Sequence, residues 1–151
     1  MCNFDQKAKE AVKMFSQGFS CGQSVFSAFS DEVGISRDIA LKLAAPFLGG
    51  MGRTGETCGA VCAALMVLGY FYGNTQPSPG EKAKLAALTS DFLDEFTEEF
   101  GSVKCKELLG YDQSKPDEYK IIMEKKLTAQ KCPRFLRGVI TILNSMKPRH
   151  N

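Results

Sequence analysis

Residues 58–72, CGAVCAALMVLGYFY, run for fifteen positions without one charged side chain. The run falls short of the roughly 20 apolar residues that span a bilayer. A helix that is apolar on nearly every face has to be surrounded by protein. The run therefore predicts a central helix, from about Thr57 to Tyr72, with other helices packed around it.

The flanking sequence supplies those helices. Phe4, Ala8, Ala11, Val12, Phe15 and Phe19 recur at helical spacing. Val25, Phe26, Phe29 and Val33 form a second stripe, closed by Gly34. Ser36 then caps a third helix carrying Ile39, Ala40, Leu43, Phe47 and Leu48. After the turn-rich NTQPSPG at 74–80, Leu85, Leu88, Phe92, Phe96 and Phe100 line one face of a long helix. Lys82, Lys84, Asp91, Asp94, Glu98 and Glu99 take its solvated face. A short turn at CKELLG precedes a helix near 117–130 with Tyr119, Ile122, Met123 and Leu127. A last helix, starting at Cys132, uses Phe135, Leu136, Val139, Ile140, Leu143 and Met146. No strand alternation, repeat or low-complexity tract stands out. The expected fold is all-α: a single-domain bundle over residues 1–151, of about six or seven helices around the apolar one.

Net charge is +2, too weak a balance to imply nucleic acid or an anionic membrane as partner. The N-terminus, MCNFDQKAKEAVKMF, has an early acid and no long apolar stretch, unlike a secretory signal. The expected location is the cytoplasm.

The loop before the central helix, GGMGRTGET, contains two decoys. Gly50, Gly52 and Gly55 match G-x-G-x-x-G, but the segment before them, IALKLAAPFL, reads as a helix, and that fingerprint needs a strand. Gly50, Gly55, Glu56 and Thr57 approximate a phosphate-binding loop with glutamate where the lysine belongs. An anion in that place defeats phosphate binding. The glycines are read instead as a tight reversal between two apolar helices.

Six cysteines, Cys2, Cys21, Cys58, Cys62, Cys105 and Cys132, are many for a chain expected in a reducing compartment. Cys2 reads as a frayed terminal residue. The rest separate by position. Ser20-Cys21-Gly22-Gln23 has the form of a capping box, which puts Cys21 at a first helical position. Cys58 follows the glycine loop at the start of the central helix. Ser102 is placed to cap a helix with Cys105 in its first turn, and Cys132 precedes Pro133, a residue favoured at helix starts. Amides and the positive dipole end stabilise a thiolate at such positions. Lys104, Lys106, Arg134 and Arg137 flank two of the four and would add to that. Cys62 reads as core packing, although spacing of four puts it on the face of Cys58, within reach of a shared site. No C-x-x-C pair occurs, and the only histidine, His150, reads as a disordered tail residue.

Cys21, the stretch GGMGRTGETCGAVCAALMVLG, and lone Cys105 and Cys132 together resemble the C_GCAxxG_C_C family of redox-active proteins. The resemblance covers nearly the whole chain. It implies that Cys21, Cys58, Cys105 and Cys132 are the family cysteines, the same four that the helix-start argument selects. The family's C-G-A-x-x-G motif reads Cys58-Gly59-Ala60-Val61-Cys62-Ala63, with Ala63 replacing the final glycine and Cys62 on a variable position. Related sequence beside haem domains in split-Soret cytochromes implies electron transfer.

Three functions follow as expectations. The first is a metal centre held by Cys21, Cys58, Cys105 and Cys132, with Cys62 as a further candidate ligand, for electron transfer or sensing. An iron–sulfur cluster is expected there ahead of zinc or no cofactor. The second is thiol–disulfide exchange by pairs of the same four cysteines, which would then be the catalytic residues. The third is a helical binding or accessory domain with merely packed cysteines. Hydrolysis has no evident base. The expected partner is a redox protein, with no nucleic acid and no membrane insertion; a homodimer stays open.

Overall fold

A computed structural model describes residues 2–148 and is all-α. In chain order the helices are α1 (Phe4–Ser16), α2 (Cys21–Ala28), α3 (Ser30–Val33), α4 (Arg37–Ala44), α5 (Leu48–Met51), α6 (Gly59–Tyr72), α7 (Pro79–Phe100), α8 (Cys105–Leu109), α9 (Pro116–Glu124) and α10 (Leu127–Met146), with a 3-10 turn at Ala45–Phe47. Seven of these reach eight residues or more, and α6 is the expected apolar helix. His150 lies outside the described residues. Among those residues no helix is long and apolar enough to cross a membrane.

The core follows from the sequence stripes. Ala60, Val61, Ala63, Ala64 and Val67 of α6 are fully buried, and their small size lets neighbours approach closely. α2 packs most extensively on α6, while α1 and α10 pair with each other. Phe92 and Phe96 bury the inner face of α7. The Phe96 ring lies 4.7 Å from that of Phe100, which in turn meets Phe135 edge-on at 5.3 Å. That cluster fastens α7 to α10.

Local chemistry sets most boundaries. Asn3, Ser36 and Ser78 cap α1, α4 and α7 by accepting amide hydrogen bonds. Three expectations change. The α4 stripe is inverted: Ala40 and Ala44 are buried, while Ile39 is 49% and Leu43 56% exposed. Small residues there let α4 lie close against α2, so the larger ones are turned outward. The helix expected over 117–130 breaks at Lys125 and Lys126, where Lys126 turns left-handed (φ 52°) and α10 begins. Finally, Cys2 is not a frayed end. It is half-buried and packs on the core near Glu32, which pairs with Lys7 at 2.8 Å.

The aromatic junction carries a test of the core. Phe96→Ala removes a fully buried ring from two aromatic contacts and is expected to cost about 3–5 kcal/mol, read as a lower urea midpoint with an unchanged slope.

Candidate functional site

The glycine loop is more unusual than a tight turn. Gly49, Gly50, Met51, Gly52 and Arg53 have φ of 59°, 71°, 64°, 66° and 63°, five consecutive left-handed residues. Each left-handed non-glycine costs about 1–2 kcal/mol, so Met51 and Arg53 are held by their surroundings. Thr54 helps, its hydroxyl donating to the carbonyls of Gly50 (2.8 Å) and Met51 (2.9 Å).

The chain leaves this turn extended and pairs briefly with the segment before α8. Thr57 and Lys104 form an isolated antiparallel bridge. The Cys58 amide donates to Val103 (2.7 Å) and the Cys105 amide to Glu56 (2.7 Å). Two cysteines 47 positions apart are thereby put in register by backbone hydrogen bonds. Gly50 completes the arrangement: a Cβ there would fall 2.7 Å from that of Cys105.

Cys21 lies against the start of α6, beside Cys58: a Cβ on Gly59 would stand 2.8 Å from the Cys21 sulfur. Cys21 is the first residue of α2, and its start is secured by the expected capping box: Ser20 Oγ accepts from the Gln23 amide (3.3 Å) and Gln23 Oε1 from the Ser20 amide (3.1 Å). Cys58 is the N-cap of α6. Each is followed by glycine, and the two glycines face each other. A Cβ on Gly22 would stand 3.2 Å from Gly59 O, and one on Gly59 would stand 2.8 Å from Cys21 Sγ and 2.6 Å from Phe47 O. Only the bare backbone lets the two helix starts meet this closely.

The electrostatics of that contact are asymmetric. Cys58 donates its S–H to Cys21, and the amides of Gly22, Ala60 and Cys21 add further hydrogen bonds to the Cys21 sulfur. Donors from the starts of both α2 and α6 therefore converge on one atom. They outweigh burial and hold Cys21 down to about 7. Cys58 is pushed well up, first by being the proton donor to Cys21 and then by burial. Of the pair, Cys21 is the thiol that ionises first.

The other cysteines surround this pair without joining it. Cys105 sits at the first position of α8 and accepts from the Gln113 side-chain amide (3.7 Å), but burial pushes its thiol up to about 12. Lys104, not Ser102, is the N-cap of α8; the Ser102 hydroxyl accepts from the Lys104 amide and donates to Glu107. Cys132 is not at a helix start. α10 begins at Leu127 and contains both Cys132 and Pro133, so Cys132 lies in the helix body, where burial pushes its thiol up. Cys132 packs against the cluster that Cys105 forms with Leu109, Ile122 and Leu127. Cys62 is buried, its S–H 3.9 Å from Thr57 O, and burial pushes it up to about 11. Negative charge on Cys21 also raises Cys62, Cys105 and Cys132, so all three lie within its electrostatic reach.

The flanking cations do not activate thiols as expected. Lys106 pairs with Glu56 at 3.6 Å, and the Arg134 guanidinium lies over Phe135 (5.1 Å) and Phe100 (5.9 Å). Among the described residues, no three His, Cys, Asp or Glu side chains are placed to hold a metal ion. Gln113 and the facing glycines Gly22 and Gly59 were missed by sequence reasoning. A signal for the glycines was present: Cys-Gly occurs twice, at 21–22 and 58–59.

A family model described as "Putative redox-active protein (C_GCAxxG_C_C)" matches residues 19–146. No curated protein and no solved structure matches the chain.

Three expected outcomes test this geometry. Alkylation of Cys21 by iodoacetamide, followed by peptide mass spectrometry, should rise with pH about a midpoint near 7 and fall away below it, because the thiolate is the reactive form. Cys58→Ala removes a donor to that thiolate and should move the midpoint upward. Gly59→Ala, whose methyl would sit 2.8 Å from Cys21 Sγ, should destabilise the fold by about 1–3 kcal/mol and raise the same midpoint.

Proposed function

Because this chain belongs to the C_GCAxxG_C_C family, a family of redox-active proteins, we propose that it works as a dithiol–disulfide redox protein whose active pair is Cys21 and Cys58. The observation that carries this reading is the meeting of two helix starts at Gly22 and Gly59, which sets the Cys21 sulfur against the backbone that follows Cys58 and couples the two thiols. Cys21 is the attacker. It holds the thiolate near neutral pH, and it retains some exposure whereas Cys58 is buried. Attack on a disulfide sulfur gives a mixed disulfide on Cys21 and a leaving thiolate. Cys58, beside it, then displaces the second thiol and closes the Cys21–Cys58 bond. The pair gives up two electrons in all.

Cys105, Cys132 and Cys62 have thiols held protonated by burial, so they are poor first nucleophiles. Their closeness to the Cys21 charge supports a second reading, in which Cys21, Cys58, Cys105 and Cys132 hold an iron–sulfur cluster or zinc. That centre would require the sulfurs to draw closer, since no three metal-binding side chains among the described residues are placed to share an ion. A chain with several buried protonated thiols suits a reducing compartment such as the cytoplasm.

One experiment separates the readings. The protein is purified without oxygen, assayed for iron, zinc and acid-labile sulfide, and then oxidised mildly for disulfide mapping. A metal-free protein that forms a Cys21–Cys58 bond, and loses it in Cys21→Ser, is the expected outcome. Stoichiometric metal that disappears in Cys105→Ser and Cys132→Ser would replace it with the second reading.

A further inference from the structure

A cleft of about 640 Å³ opens beside the dithiol, with Cys21 on its wall. That volume lies within the range of small-molecule sites, roughly 300–1,000 Å³. Its walls are largely apolar, with Phe15, Phe19, Ile122 and Met123 among them. Arg53 is the one basic side chain that lines it, and no carboxylate does. Among the described residues Arg53 is in no ion pair. Its guanidinium rests 5.2 Å from the centroid of the Tyr119 ring, itself a lining residue. Its stem crosses Gly49, where a Cβ would fall 2.7 Å from Arg53 Cγ.

The cleft thus combines one nucleophilic sulfur, one unpaired cation and apolar walls. A thiolate on the wall would by itself repel an anionic substrate. Arg53 reverses that and offers the planar fork that suits a carboxylate. We propose that the cleft receives a low-molecular-weight disulfide bearing a carboxylate, which Arg53 binds while one substrate sulfur is presented to Cys21. The assignment rests on the dithiol reading above and adds the substrate class.

The reaction balances. The Cys21 thiolate attacks the near sulfur, the substrate S–S bond breaks, and one thiolate leaves as the Cys21–substrate disulfide forms. The Cys58 proton passes to that leaving thiolate. The Cys58 sulfur then attacks Cys21 Sγ, breaking the mixed disulfide and releasing the second thiolate. One substrate disulfide becomes one thiol and one thiolate, and the Cys21–Cys58 pair is oxidised by two electrons.

The test follows oxidation of the reduced full chain by three disulfides: dithiodipropionate (anionic), hydroxyethyl disulfide (neutral) and cystamine (cationic). Each rate is divided by that of the same disulfide with free dithiothreitol, which removes intrinsic reactivity. The expected order is anionic, neutral, cationic, with dithiodipropionate favoured over hydroxyethyl disulfide about fivefold, the scale of one partly exposed charge pair. Arg53→Gln should abolish that preference, read as the ratio of anionic to neutral rate within the variant itself. Arg53→Lys should retain most of it, and added salt should shrink it. Absence of a charge preference in the native chain, or its persistence in Arg53→Gln, overturns the assignment and leaves the dithiol reading standing. Failure of hydroxyethyl disulfide to produce the Cys21–Cys58 bond overturns both.

Discussion

The structure turns on the crossing of two helix starts at Gly22 and Gly59. A side chain at either glycine would press on backbone or on Cys21 Sγ, at 2.6–3.3 Å. With none present, α2 and α6 approach closely enough that the preceding residues, Cys21 and Cys58, titrate as a coupled pair. The amides left unpaired at both starts then find a sulfur to bond. Packing and chemistry are one arrangement here: the contact that joins the most extensively packed helix pair also lowers the pKa of Cys21.

Position at a helix start does not suffice for activation. Cys105 begins a helix too, yet burial dominates and its thiol is held protonated. The difference is the number of donors. Cys21 receives an S–H and amides from two helices, whereas Cys105 has one side-chain amide and lies within reach of the Cys21 charge. An amide dipole weighs against desolvation only when enough of them aim at the same atom. One thiol of low pKa is thus set among several of high pKa.

The left-handed turn at Gly49–Arg53 and the bridge at Thr57–Lys104 do related work. Together they bring α8 beside the start of α6, and they set Arg53 on the cleft wall near Gln113 and Tyr119. The glycines there allow a backbone that side chains resist, while Met51 and Arg53 adopt it under constraint.

The sequence by itself determined the all-α fold, the central apolar helix, the capping box that puts Cys21 at a helix start, and the family, whose model covers residues 19–146. These rest on local rules, hydrophobic periodicity and capping, that act within a few residues. Tertiary structure decided which cysteines meet, which thiol is charged, and that Cys132 lies inside α10 rather than at its start. It also decided that the α4 stripe turns Ile39 and Leu43 outward, since small residues were needed against α2. The physical reason is range. Burial and the convergence of donors from α2 and α6 are sums over residues far apart in the chain, and no spacing along the sequence encodes their balance.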